Sequence, residues 1–143
     1  MDELAIRDIA LFFFFCLLDE EKAHDLSFRA VDEYYELKRK FPSEALPMLV
    51  VKATFKIWNK HKAKFQRGRP QINRHMGWTW PHDINLGPWM EYQKNAMTDE
   101  FIVAIWSLFL KYKDEDIAEG LDLSKGTIRY RLGHALKQLG TYV

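Results

Sequence analysis

Four side chains near the C-terminus, Lys125, Arg129, Tyr130 and Lys137, fall on or near one side of a helix if the chain around them is helical. Cations and an aromatic hydroxyl so placed can meet phosphate oxygens and the hydrogen-bonding edges of bases. A second basic row, Lys52, Lys56, Lys60 and Lys64, recurs every four residues and would track a phosphate backbone or form a solvated helix face. Catalytic chemistry finds no comparable arrangement. His24, His61, His75, His82 and His134 lack metal-ligand spacing, and no carboxylate pair or Ser/His/Asp set stands out. The lone Cys16 lies in an apolar run and has no partner for an intrachain disulfide. We therefore expect no enzyme, cofactor or metal site.

The elements that must position the C-terminal cations are legible around them. Asp114 to Leu132 opens with acids, turns Ile117, Ala118 and Leu121 inward, breaks at Asp122 and Leu123, and restarts with Ser124 as N-cap. The second helix is expected to bury Ile128, Leu132, Ala135, Leu136 and Leu139, which leaves Lys125, Gly126, Arg129, Tyr130, Gly133 and Lys137 outward. Such a unit is a helix-turn-helix, and its second helix would enter a major groove.

Charge is segregated along the 143 residues although the net is only +1. Residues 1–45 hold eleven acids against six bases, and residues 46–82 hold eight bases and no acid. Residues 83–123 return to nine acids against three bases, before four bases and no acid in 124–143. Two acid-free basic segments suggest two contacts with a polyanion, and the acidic blocks suit a basic protein partner. With 48% hydrophobic residues and only 7 Gly and 5 Pro, the chain has the material for a buried core. The longest apolar run, Ile9 to Leu18, is roughly half the length a bilayer span needs. It follows Asp2, Glu3 and Asp8 rather than a basic stretch, so no secretory leader and no membrane partner are expected, and the cytoplasm is the expected compartment.

Upstream, Leu4 to Leu18 reads as a helix apolar nearly all round. Asp19 would cap the next, in which Ala23, Leu26, Ala30, Val31, Tyr34 and Leu37 line one side and Lys38, Arg39 and Lys40 close the end. Pro42 breaks the chain, Ser43 is expected to cap a third helix, and Pro47 falls in its first turn. There Leu49, Ala53, Ile57 and His61 share a side next to the lysine row. Residues 67–97 hold Pro70, Pro81, Pro88, Trp78, Trp80 and Trp89 with no evident helical period, and read as a linker with aromatic anchor points. Within it Arg67-Gly68-Arg69-Pro70 equals the core of an AT-hook, although a basic hinge is the simpler reading. Thr98 would start a further helix with Phe101, Ile105, Leu108 and Tyr112 as its stripe. The expected fold is all-α: a helical domain at 1–66, a linker at 67–97 and a helix-turn-helix domain at 98–143.

The C-terminal segment resembles the DNA-binding fourth region of bacterial sigma factors. Ile117, Ala118, Leu121, Leu123, Ser124, Gly126, Thr127, Ile128, Arg131 and Leu132 stand at matching places, and Asp122 occupies the usual turn glycine. LuxR-type regulator domains share much of that pattern. Asp19, Ala23, Asp25 and Leu26 also match the start of the second region of extracytoplasmic-function sigma factors, where Phe28 and Arg29 replace Gln and Glu, and Val31 replaces Phe. Pro47-Met48-Leu49 resembles the Pro-Trp-Leu that begins the promoter-melting helix, with Phe55 in place of its Asn. The resemblance implies a transcription initiation factor that binds double-stranded promoter DNA and core RNA polymerase, with an anti-sigma-like inhibitor as a further partner. It implies DNA contact through Lys125, Gly126, Thr127, Arg129, Tyr130, Arg131, His134 and Lys137, supported by Lys52, Lys56, Lys60 and Lys64. Polymerase contact would fall on Asp25, Leu26, Arg29, Asp32 and Glu33. Two alternatives stay open: a helix-turn-helix regulator whose N-terminal half dimerises or senses, and an adaptor that mimics sigma.

Overall fold

The computed structural model describes residues 2–65 and 86–143, which are helical with no strand among them. Helix α1 spans Glu3–Leu17 and ends at Leu18, whose backbone is left-handed and whose N–H reaches Phe14 O. That corner lets Asp19 begin α2, Glu20–Lys40, at once. The Asp19 carboxylate accepts from Lys22 N at 3.0 Å, the expected cap, a contribution of about 1 kcal/mol. Helix α3 spans Leu46–Phe65. Its first internal bond runs from Leu49 N to Ala45 O, so Ser43 lies in the preceding turn instead of capping the helix.

Helix α4, Leu86–Asn95, lies inside the stretch expected as linker. Gly87 and Pro88 hid it, yet both occupy a first turn, where amides have no partner inside the helix. Trp89 is an anchor point as expected: its indole is buried and donates to Phe15 O at 2.8 Å. Trp78, Trp80 and the Arg67 to Pro70 motif lie outside the described residues. Helix α5, Thr98–Ala104, starts at Thr98 as expected, with Met97 at its N-cap. It widens into a π turn at Ile105–Phe109, where Leu110 N bonds to Ile105 O at 3.2 Å. Helices α6, Asp114–Leu121, and α7, Lys125–Gly140, complete the described chain.

One continuous core joins helices on both sides of residues 66–85. The four phenylalanines Phe12 to Phe15 are fully or almost fully buried, as the all-round apolar character of α1 predicts. Phe15 stacks on Phe109 at 3.8 Å between centroids, and Phe12 stacks on Trp106 at 5.2 Å. Pairs of this kind add about 0.5–1.5 kcal/mol beyond their area. Leu4 and Ile6, by contrast, are nearly half exposed near the start of α1. Several polar groups carried into the interior are paired across the same junction. The Trp106 indole donates to Thr54 Oγ1 at 3.0 Å, and that hydroxyl donates to Val50 O. Tyr112 donates to the buried Asp8 Oδ2 at 2.7 Å, while Arg7 holds the other oxygen at 3.1 Å. The segments expected as separate units, 1–66 and 98–143, thus meet in this core. Among the described residues no helix is long and apolar enough to cross a membrane.

Candidate nucleic-acid interface

The turn between α6 and α7 is built by backbone geometry. Asp122 adopts φ 56° and ψ 45°, and its N–H returns to Ala118 O and Glu119 O. Leu123 N also bonds to Ala118 O, at 2.9 Å, so the last carbonyls of α6 are satisfied by the turn itself. Ser124 then caps α7: its hydroxyl accepts from Thr127 N at 3.1 Å and pairs with the Thr127 hydroxyl. Glycine-free, the turn uses one of the few other residue types that tolerate this region.

Ile128 and Ala135 anchor α7 inward at 0% and 1% exposure, with Leu132 and Leu139 partly buried beside them. Leu136, expected inside, is 46% exposed. The 100° step per residue explains this: Leu136 lies at the margin of the apolar stripe, on the Lys125 and Arg129 side. The outer face carries Lys125, Gly126, Arg129, Tyr130, Gly133, His134 and Lys137, all exposed. Tyr130 and His134 lie ring against ring at 4.5 Å. A Cβ at Gly133 would meet nothing within 4 Å, and at Gly126 only the Ser124 hydroxyl at 3.9 Å, so a partner could approach the backbone closely there. Thr127 is half-buried and committed to the cap, and Arg131 is half-buried on the flank.

Acids of the 83–123 block, expected to face a basic protein partner, border this face instead. Lys125 Nζ lies 3.0 Å from Glu115 Oε1, and Arg129 Nε lies 3.2 Å from Asp114 Oδ2. The Glu115 carboxyl is held below the usual range, first by its own backbone N–H and then by the Lys125 ammonium. On the flank, Arg131 pairs with Asp99 and His134 with Glu100, both at 3.8 Å. These pairs span 10 to 34 residues of sequence, so only the folding of α7 against α5 and α6 could disclose them.

No family model matches the chain, and no curated protein or solved structure does.

The remaining expected residues are dispersed. On α3, Lys52 is half-buried with its ammonium 5.2 Å from the Phe41 ring centre, Lys56 pairs with Glu33 at 2.8 Å, and Lys60 is exposed. The Lys64 side chain lies outside the described residues, as do His75 and His82. On α2, Asp25, Arg29 and Asp32 are exposed, and Arg29 lies 3.8 Å from Asp25. Leu26 is corrected: at 1% exposure it belongs to the core and cannot touch a partner, because its position on α2 shares the stripe of Ala23 and Ala30. Phe28 instead stands out at 64% exposure, edge-on to His24. Cys16 is buried, and burial pushes its thiol far above the usual range, which leaves it inert as a nucleophile. Among the described residues no three His, Cys, Asp or Glu side chains are grouped to hold a metal ion.

Proposed function

We propose that this chain is a sequence-specific DNA-binding transcription initiation factor of sigma type, which directs core RNA polymerase to promoters. One observation carries the reading. The outer face of a Ser124-capped helix, set behind a tight turn, offers Lys125, Arg129, Tyr130, His134 and Lys137 around two glycines that leave the backbone approachable. In a helix-turn-helix the N-terminal part of the second helix meets base edges, so Lys125 and Arg129 read bases or adjacent phosphates. Lys137, three turns from the start of α7, meets the backbone. The sigma-like order of motifs along the chain supports polymerase as the partner, through the exposed Asp25, Arg29 and Asp32 on α2.

The test is binding of the full chain and its Arg129→Ala variant to a selected duplex and to a scrambled one across a salt series. Loss of a bidentate guanine contact costs about 1–3 kcal/mol on the selected site alone. Loss of a phosphate contact weakens both duplexes alike and flattens the salt dependence. Unchanged binding to both at every salt concentration removes Arg129 from the interface. Co-purification with core polymerase tests the sigma part.

A second reading, a regulator whose N-terminal half dimerises, is favoured by Phe28, an aromatic ring left 64% exposed where sigma factors place a polar residue. A dimer by light scattering with a palindromic footprint supports it; a monomer that binds DNA only with polymerase excludes it.

A further inference from the structure

The two cations that the DNA-binding reading places deepest in the groove are already engaged within the protein. Glu115 and Asp114, both in the first turn of α6, hold Lys125 and Arg129 at 3.0 and 3.2 Å. Acids in a first turn are favoured by the helix dipole, which accounts for their presence on α6. The dipole does not explain why two of the three reach across to successive turns of the outer face of α7. Asp116, the third, makes no ion pair among the described residues, so within the first turn of α6 pairing with α7 is particular to two positions. Lys137, farther along the same face, has no ion pair among the described residues either. The countercharge from α6 therefore falls on the first two turns of α7, where base contacts would be made, while acids of α5 pair farther along, Asp99 with Arg131 and Glu100 with His134 at the longer distance of 3.8 Å.

We propose that Asp114 and Glu115 are built-in competitors of the DNA backbone, which occupy Arg129 and Lys125 in the free protein and must be displaced before either cation reaches a duplex. The proposal rests on the DNA-binding reading and adds a specificity device to it. A carboxylate and a phosphate satisfy the same donors, so a duplex that offers phosphate charge alone gains little by the exchange. A cognate site adds base-edge hydrogen bonds that the carboxylates do not replace. The acids also stand close to the incoming phosphates and repel them. Both effects lower non-specific binding more than specific binding, and the acids thereby set discrimination at the expense of affinity.

The experiment compares the full-length wild type with the isosteric variant D114N/E115Q, by fluorescence anisotropy with a selected duplex and a scrambled duplex across a salt series. The variant is expected to bind scrambled DNA about three- to tenfold more tightly at low salt, the scale set by two exposed ion pairs. The selected duplex gains less, so the ratio of the two affinities falls, and the salt dependence steepens because no carboxylates are left to take up cations. Asp116→Asn removes an acid from the same turn and should produce a clearly smaller gain. In an Arg129→Gln background the gain from Asp114→Asn should shrink to the part that comes from direct repulsion of phosphate. If the double variant loses its fold by circular dichroism, Glu115→Gln, whose side chain is 54% exposed, is measured with and without Lys125→Gln instead. The proposal is overturned if the wild type binds DNA and the variant binds scrambled duplex no better, or if Asp116→Asn gives an equal gain. Failure of every variant and of the wild type to bind either duplex overturns the DNA-binding reading itself, and the proposal with it.

Discussion

Asp122 sits where a single backbone angle decides the path of the chain. Its φ of 56° lies in the left-handed region, which an Asp enters at lower cost than a β-branched residue but at higher cost than glycine. Its carboxylate also stands at the C-terminal end of α6, where the helix dipole disfavours negative charge. Asp122→Gly should therefore raise stability by about 0.5–1 kcal/mol, and Asp122→Val should lower it by about 1–2 kcal/mol. Urea denaturation measures both. The turn was legible from the residue types at Asp122 to Ser124, because its bonds are local: Leu123 to Ala118 and Thr127 to Ser124. Leu26 was misread for the opposite reason. An identity match to a motif carries no information about which side of α2 faces inward, whereas the spacing of Ala23, Leu26 and Ala30 does.

At the scale of elements, the orientation of α6 is governed by a contact with α3. A Cβ at Gly120 would lie 2.5 Å from Val51 Cγ1 and 3.2 Å from Met48 O, so only glycine allows the two helices to approach this closely. Gly120→Ala should force α6 away from α3 and cost about 1–3 kcal/mol, measured as a lowered midpoint in urea. Adding Val51→Ala should recover part of that loss, because it removes Cγ1 at 2.5 Å, while the Val51 Cβ position at 2.7 Å and the Met48 carbonyl at 3.2 Å must still give way. Two additive losses would show that the Gly120 site does not press on Val51. Helices α1, α2 and α3 followed their apolar spacing and their breakers closely, but α4 did not stand out. Its period of Leu86, Trp89, Met90 and Gln93 is short, and Gly87 and Pro88 mark it as a turn to any local reading. What stabilises α4 is the burial of Trp89 and Tyr92 against helices distant in sequence.

Across the whole molecule, the Trp106 to Thr54, Tyr112 to Asp8 and Trp89 to Phe15 hydrogen bonds all cross from the N-terminal helices to those after residue 85. Breaking any of them leaves a buried polar group unpaired, at about 1–3 kcal/mol each, so neither set of helices can unfold without exposing the other. Denaturant unfolding followed by tryptophan fluorescence and by far-UV circular dichroism should give one coincident transition. Two separated transitions would show that residues 1–66 and 98–143 fold as independent units.

By itself the sequence determined the helical elements other than α4, most of their ends, the tight turn at Asp122 and the outward face of α7. Each of these follows from interactions within about four residues, through hydrogen bonds, caps and the 100° step of the helix. Only the tertiary structure decided that the segments on either side of residues 66–85 share one core and that α4 exists. The same holds for the pairing of Lys125 and Arg129 with Glu115 and Asp114. Those features depend on which surfaces meet, and charge or hydrophobicity read along a chain does not carry the direction in which a helix turns its side chains toward a distant neighbour.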